Sequence, residues 1–190
     1  ISTFLAEELD MDALGIDICI TSTQKGLNIP PGLSILFISK RLEGYEYAHR
    51  GYYWDFEDNL GNLKRGQTPF SPATLIYLQL NARLRQLQVQ GGEMYNISQV
   101  RHRAEVFRKE CRRYGWTMPA ENPSHAITAI QTKDTVERRI FRGLIERYET
   151  FIMPGSLPGF YRISHMGLQT DEELRTLAER IHLIETEIDE

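Results

Sequence analysis

The chain has 190 residues, is 41% hydrophobic and 25% charged, and carries a formal charge of −4. That length suffices for one domain with a sizeable core or for parts of two. The acidic balance argues against a nucleic-acid partner, which would call for a basic face. No apolar run approaches the ~20 residues that span a bilayer, and the N-terminus lacks the layout of a signal peptide. Two cysteines, Cys19 on a strand and Cys111 on a helix, read as reduced thiols in a cytoplasmic setting.

Residues 1–70 read as strand-and-loop material. Asp10 to Leu14 is a short turn or helix. The apolar run Asp17-Ile18-Cys19-Ile20 forms one buried strand, and Leu33 to Ser39 a second. Between them lie Thr21-Ser22-Thr23-Gln24-Lys25-Gly26 and a rigid Pro30-Pro31-Gly32 turn. A lysine held between buried strands must find a partner or give up its proton, because an ammonium is costly to desolvate. A lysine that gives up its proton readily is a nucleophile able to form a Schiff base with a carbonyl. Four hydrogen-bonding side chains beside it suit the grip on a phosphate.

Tyr45 to Leu63 reads as a long polar-aromatic loop carrying Tyr45, Tyr47, Tyr52, Tyr53, Trp54 and Phe56, a composition suited to packing against another surface. Ser71-Pro72 opens a connecting helix, Ser at the cap and Pro in its first turn, with Leu75, Leu78, Ala82 and Leu87 as its apolar stripe. Gly91-Gly92 ends it. A second helix, Met94 to Tyr114, presents Ile97, Val100, Ala104, Phe107 and Cys111 on one face. Arg101, Arg103, Arg108, Lys109, Arg112 and Arg113 are assigned to a solvated face.

The remainder reads as an α+β unit. It has a strand at Ala126 to Thr132, a helix at Thr135 to Glu149, a short strand at Phe151 to Met153 and a strand at Phe160 to Ser164. The last helix follows the capping box Thr170-Asp171-Glu172-Glu173 and turns Leu174, Leu177, Ala178, Ile181, Ile184 and Ile188 inward. His49, His102, His125 and His182 show no metal-ligand spacing, so no metal is expected.

Three segments carry a resemblance. Ser22 to Gly32 (Ser-Thr-Gln-Lys-Gly-Leu-Asn-Ile-Pro-Pro-Gly) resembles the pyridoxal-phosphate lysine segment of class V aminotransferases, the alanine/serine–glyoxylate branch of fold type I. Gly66-Gln67-Thr68-Pro69-Phe70-Ser71-Pro72 is similar to that family's "TP-F-[ST]-P" element, and Phe160 to Gly167 to its "FRI-x-HMG" strand. The resemblance implies an α/β fold, the C-terminal part of fold type I. Residues 1–70 would close the large cofactor-binding domain, 71–93 the connecting helix, and 94–190 the small domain. It implies pyridoxal 5'-phosphate as cofactor, small amino acids and 2-oxo acids as substrates, and a homodimer.

Residue by residue, Lys25 matches the Schiff-base lysine, which is covalent anchor and acid/base at once. Gln24 matches the residue beside the cofactor phosphate, where Thr23 or Thr21 could add a hydroxyl. Thr68 matches the threonine that reaches the neighbouring subunit's phosphate, and Arg65 stands where the family commonly has a tyrosine. Arg162 matches the arginine that binds the substrate's α-carboxylate, for which its planar fork is suited. His165 is read as structural. The family's aspartate on the pyridine nitrogen would lie upstream of Ile1, so the chain by itself is expected to lack the complete cofactor site. Alternatives on the same scaffold are a 2-aminoethylphosphonate–pyruvate transaminase and a desulfurase or lyase. A desulfurase needs a nucleophilic cysteine on a mobile loop, which neither cysteine's setting provides. A non-catalytic fragment or dimerisation module is the third reading.

Overall fold

The computed structural model describes residues 1–45, 51–134 and 138–187. The expectations placed on Tyr47, His49, Thr135 and Ile188 lie outside these. The chain forms two units, one from Ile1–Ser2 with Leu9–Gln86, the other from Thr3–Glu8 with the chain from Leu87 onward.

The first unit is built on an antiparallel pair, β1 (Ile18–Ser22) and β2 (Ser34–Ile38), in register from Ile18 opposite Ile38 to Ser22 opposite Ser34. Alternation sends Cys19 and Thr21 inward, while Ile18, Ile20 and Leu36 remain 46%, 52% and 44% exposed. The expectation of fully buried strands is therefore corrected: one face is covered and the other is open. The aromatic loop is corrected too. Helix α1 (Phe56–Lys64) occupies its second half, started by the Asp55 side chain, which accepts the Asp58 N–H.

Helix α2 (Thr74–Gln90) starts two residues later than the Ser71-Pro72 signal suggested, because the Pro72 carbonyl is taken up in a turn by the Thr74 N–H. Its inward stripe also differs. Ile76, Leu80, Arg83 and Leu87 are the covered positions, whereas Leu75 and Leu78 are 73% and 61% exposed and Ala82 is exposed. Of these, Ile76 and Arg83 meet the segment that carries Lys25. Gly32 sits at φ 153 with Ile76 so close that a Cβ there would come within 2.8 Å of its Cγ1. Arg83, buried, donates through Nε to the Leu27 carbonyl at 3.0 Å.

The second unit holds the larger core. Helix α3 (Gly92–Arg113) starts after Gly91 at φ 111 and buries the predicted face from Ile97 to Cys111. Strand β5 (Phe160–Ser164) lies between β3 (Ile127–Gln131) and the two-residue β4 (Met153–Pro154), all antiparallel. Helices α4 (Arg139–Tyr148) and α5 (Asp171–Thr186) complete it, and the Thr170/Glu173 capping box is present as predicted. Phe107, Ile130, Ile140, Leu144, Tyr161 and Ile181 form the centre of the core, each at most 1% exposed. Two buried carboxylates tie its edges. Asp134 accepts the Tyr161 hydroxyl at 2.5 Å and the Ile140 N–H at 2.9 Å, and Glu185 accepts the Trp116 indole N–H at 2.7 Å.

One assignment of α3 is reversed. Arg103 and Arg108, expected on the solvated face, are only 8% and 5% exposed. Both cysteines are free and buried, as the sequence reading favoured.

Candidate active site

The Lys25 turn is fixed along its backbone. The Lys25 N–H donates to the Ser22 carbonyl at 3.3 Å, the Asn28 N–H to the Lys25 carbonyl at 2.8 Å, and the Ile29 N–H to the Thr23 carbonyl at 3.2 Å. Leu27, 1% exposed, is the apolar peg that seats the turn, and Asn28 takes a left-handed φ of 55. With its neighbours held, Lys25 stands half-buried and Gln24 exposed. Among the described residues the Lys25 ammonium has no hydrogen-bond or ion-pair partner. An amine without a competing partner, on a backbone that cannot drift, is available to an incoming electrophile.

The hydroxyls beside it are differently placed. Thr23, fully buried, donates through Oγ1 to the Pro30 carbonyl at 2.8 Å, and Thr21 donates to the Ile1 carbonyl at 3.0 Å. Each donates its one proton to backbone, as the Thr68 hydroxyl also does, so a phosphate contact from either requires giving up that bond. That leaves Gln24 as the amide donor of the turn. Thr68 and Arg65 follow α1, both exposed. The Thr68 hydroxyl donates to the Phe70 carbonyl at 2.7 Å, and Arg65 donates to Asn62 Oδ1 at 2.6 Å. Phe70 in turn stacks on Tyr53 at 5.0 Å and meets Tyr52 edge-on at 5.2 Å.

Arg162 belongs to the second unit. On β5, Tyr161 and Ile163 point into the core, so Arg162 projects from the opposite face, flanked in register by Ala129 on β3 and Met153 on β4. It is exposed, and among the described residues its guanidinium has no acceptor. A groove of about 1050 Å³ lies beside it, with Ser164, Gln169, Leu177 and Arg180 also in its wall. The Arg180 guanidinium is fixed over the Tyr148 ring at 4.6 Å and donates to Thr150 Oγ1 at 3.1 Å.

Behind this strand runs a polar network that the sequence reading missed. His165, fully buried, follows β5. Its N–H donates to the Ala126 carbonyl at 2.9 Å, its carbonyl accepts Arg103 Nε at 2.9 Å, and its Nε2 lies 2.8 Å from Thr128 Oγ1. Arg108 donates to that same hydroxyl at 3.1 Å and to the Ser124 carbonyl at 2.6 Å. Glu7 closes the network: Oε1 accepts the Ser124 hydroxyl at 2.7 Å and the His125 N–H at 2.5 Å, while Oε2 lies 3.1 Å from His125 Nδ1. Burial pushes the Glu7 carboxyl up, but the hydrogen bonds from Ser124 and His125 outweigh it and leave the group below its usual range. Burial, reinforced by the Arg108 and Arg103 charges, pushes the His165 ring down to about 3. His165 is thus a neutral structural imidazole. Helical phase held the missing signal. Arg108 follows Ala104 by four residues and Arg103 precedes Phe107 by four, so both flank the buried stripe.

No family model matches the chain. An uncharacterised aminotransferase of Methanocaldococcus jannaschii is 27% identical over 194 residues, 94% of this chain and 49% of the relative. The L-aspartate–glyoxylate aminotransferase of Paracoccus denitrificans is 28% identical over 183 residues, 90% of this chain and 45% of the relative. Among solved structures, a subgroup IV aspartate aminotransferase from Thermus thermophilus superposes with a TM-score of 0.87 at 23% identity, over 99% of this chain and 54% of that one. The chain spans about half the length of the curated relatives it matches. Its fold matches that of the fold type I pyridoxal-phosphate-dependent aminotransferases over about half their length, and in sequence it resembles the class V aminotransferases over about half of theirs.

Proposed function

We propose that the protein is a pyridoxal-phosphate-dependent aminotransferase that moves an amino group between a small amino acid and glyoxylate or pyruvate. The observation that carries this reading is Lys25: an amine without a partner among the described residues, on a turn whose backbone is pinned on both sides. The relatives named as aminotransferases support it. The donor types fit the cofactor: Lys25 would take its aldehyde, and Gln24, Thr68 and Arg65 would hold its phosphate. Pyridoxal phosphate, when bound, supplies an electron sink for the pair released at the amino acid's Cα.

The chain's own residues do the rest. Lys25 Nζ would hold the cofactor at its aldehyde carbon and, as the acid/base, would carry the proton away from Cα and return it on the acceptor side. Gln24 donates to phosphate oxygens. In a dimer, Thr68 would reach the phosphate of the neighbouring copy by turning its hydroxyl away from Phe70, and Arg65 adds positive charge there. Arg162 forks onto the α-carboxylate and fixes the plane of the amino acid. Neither cysteine of this chain is placed for desulfuration. Both are buried, and burial pushes the Cys111 thiol up to about 12.

The test is Arg162→Ala. A charge-assisted hydrogen bond is worth about 1.5–3 kcal/mol, so KM for both the amino acid and the 2-oxo acid should rise about tenfold or more, with a smaller change in kcat. Unchanged KM values would overturn the carboxylate role.

A further inference from the structure

The network behind β5 is costly to assemble. Two guanidiniums, an imidazole and the Thr128 hydroxyl are drawn out of water where apolar side chains would pack as well, and the Ser124 hydroxyl and Glu7 carboxylate join them half-buried. Its members lie on segments far apart in sequence: Glu7 in the Thr3–Glu8 arm, Arg103 and Arg108 on α3, Ser124 and Thr128 at and on β3, His165 after β5. Their hydrogen bonds form one chain: Glu7 to Ser124, Ser124 to Arg108, Arg108 to Thr128, Thr128 to His165. A shorter branch runs from the Ser124 hydroxyl through the Ala126 N–H, and the Ala126 carbonyl then holds the His165 N–H. With Arg103 on the carbonyl side, the peptide groups on both sides of His165 are gripped. Arg162 is three residues upstream, on β5, which pairs over five residues with β3 and over only two with β4. The network therefore fixes the C-terminal end of β5, beyond Arg162, where the β4 pairing stops and only β3 flanks the strand.

We propose that Glu7 is a positioning residue for Arg162, acting through this hydrogen-bonded chain to hold β5 where its guanidinium meets the substrate carboxylate. The proposal rests on the carboxylate role given to Arg162 above. Glu7 is where the chain is set. Its carboxylate orients Ser124 and the His125 N–H, and Ser124 offers its carbonyl to Arg108 and its hydroxyl oxygen to Ala126. Without it the 124–126 segment loses its anchor, Arg108 loses a fixed acceptor, and Thr128 and His165 lose theirs in turn. The Thr3–Glu8 arm is independently seated, by Ala6 packed against Val100 and Ala126 and by Asn96 donating to the Leu5 carbonyl at 2.7 Å. Loss of the carboxylate thus loosens the network while leaving the arm in place.

The experiment is a kinetic cycle in the holoenzyme with Glu7→Ala, Glu7→Gln, Arg162→Ala and the Glu7→Ala/Arg162→Ala double variant. Glu7→Ala should raise KM for the amino acid about five- to tenfold with kcat changed less than about twofold. Glu7→Gln keeps an acceptor for Ser124 and the His125 N–H, so it should restore most of the affinity. The double variant should bind no more weakly than Arg162→Ala alone, because a residue that acts through Arg162 has nothing left to position. A purely structural Glu7 would lower the melting temperature and leave KM untouched, or add its effect to that of Arg162→Ala; either result overturns the proposal. If Arg162→Ala alone leaves KM unchanged, the carboxylate reading falls and this one with it. A raised KM in Arg162→Ala but not in Glu7→Ala overturns this one only. Should Glu7→Ala fail to fold, Ser124→Ala removes the hydroxyl that joins Glu7 to the chain and accepts the Ala126 N–H, and it is read by the same criteria.

Discussion

The two units bury their apolar side chains very differently. The second closes a core around Phe107, Ile130, Leu144, Tyr161 and Ile181, all at most 1% exposed. The first covers Cys19 and Leu27 but leaves Ile18, Ile20 and Leu36 on the strands, and Leu75 and Leu78 on α2, between 44% and 73% exposed. Stability in the second unit is therefore carried by interior packing, whereas the first is ordered mainly by backbone bonds and a few pegs. The two residues proposed for the chemistry divide the same way. Lys25 depends on a turn pinned by Leu27, Arg83 and Gly32, and Arg162 depends on a strand backed by a filled core and a polar network.

Paired substitutions would break this comparison if it is wrong. Phe107→Ala removes a fully buried ring and should cost about 3–5 kcal/mol in urea unfolding, whereas Leu78→Ala on the open face of α2 should cost less than about 0.5 kcal/mol. Equal losses would mean that the first unit is as tightly packed as the second.

A smaller effect sharpens the account of the network. The His165 ring is held down to about 3 in the folded chain, against about 6.5 for an unperturbed histidine. As pH falls below about 6.5 the unfolded chain takes up a proton that the folded one refuses. Stability is then lost between that pH and about 3, at up to about 1.4 kcal/mol per pH unit. His165→Asn should flatten this part of the variant's own stability curve, so that its difference from wild type changes between those pH values in pH-dependent unfolding. Parallel curves would mean that the ring is charged, or exposed, in the native state.

Much of the frame was legible in the sequence. The strand at Phe160 to Ser164, the capping box at Thr170 and the α3 stripe follow from period, caps and β-branched runs. The turn at Lys25 was also legible, because glycine and proline residues crowd a single lysine, and its backbone bonds fix it as a turn. What the sequence hid was tertiary. The face of α2 that is covered was set by Gly32 and Leu27, some 50 residues away, which draw in Ile76 and Arg83 rather than Leu75 and Leu78. The Thr23 and Thr21 hydroxyls looked available, yet backbone carbonyls claim them. Arg103 and Arg108 carry charges that composition assigns to solvent, and their burial depends on acceptors from β3, from the Ser124 segment and from the end of β5.

The central claim is that Lys25 is the amine that engages the cofactor, and one measurement tests it directly. The purified protein is incubated with pyridoxal phosphate, reduced with borohydride and digested, and the phosphopyridoxyl-modified peptide is mapped by mass spectrometry. The account predicts modification concentrated on Lys25 and lost in Lys25→Ala. Modification spread over Lys40, Lys64 and Lys109 with no preference for Lys25 would contradict it.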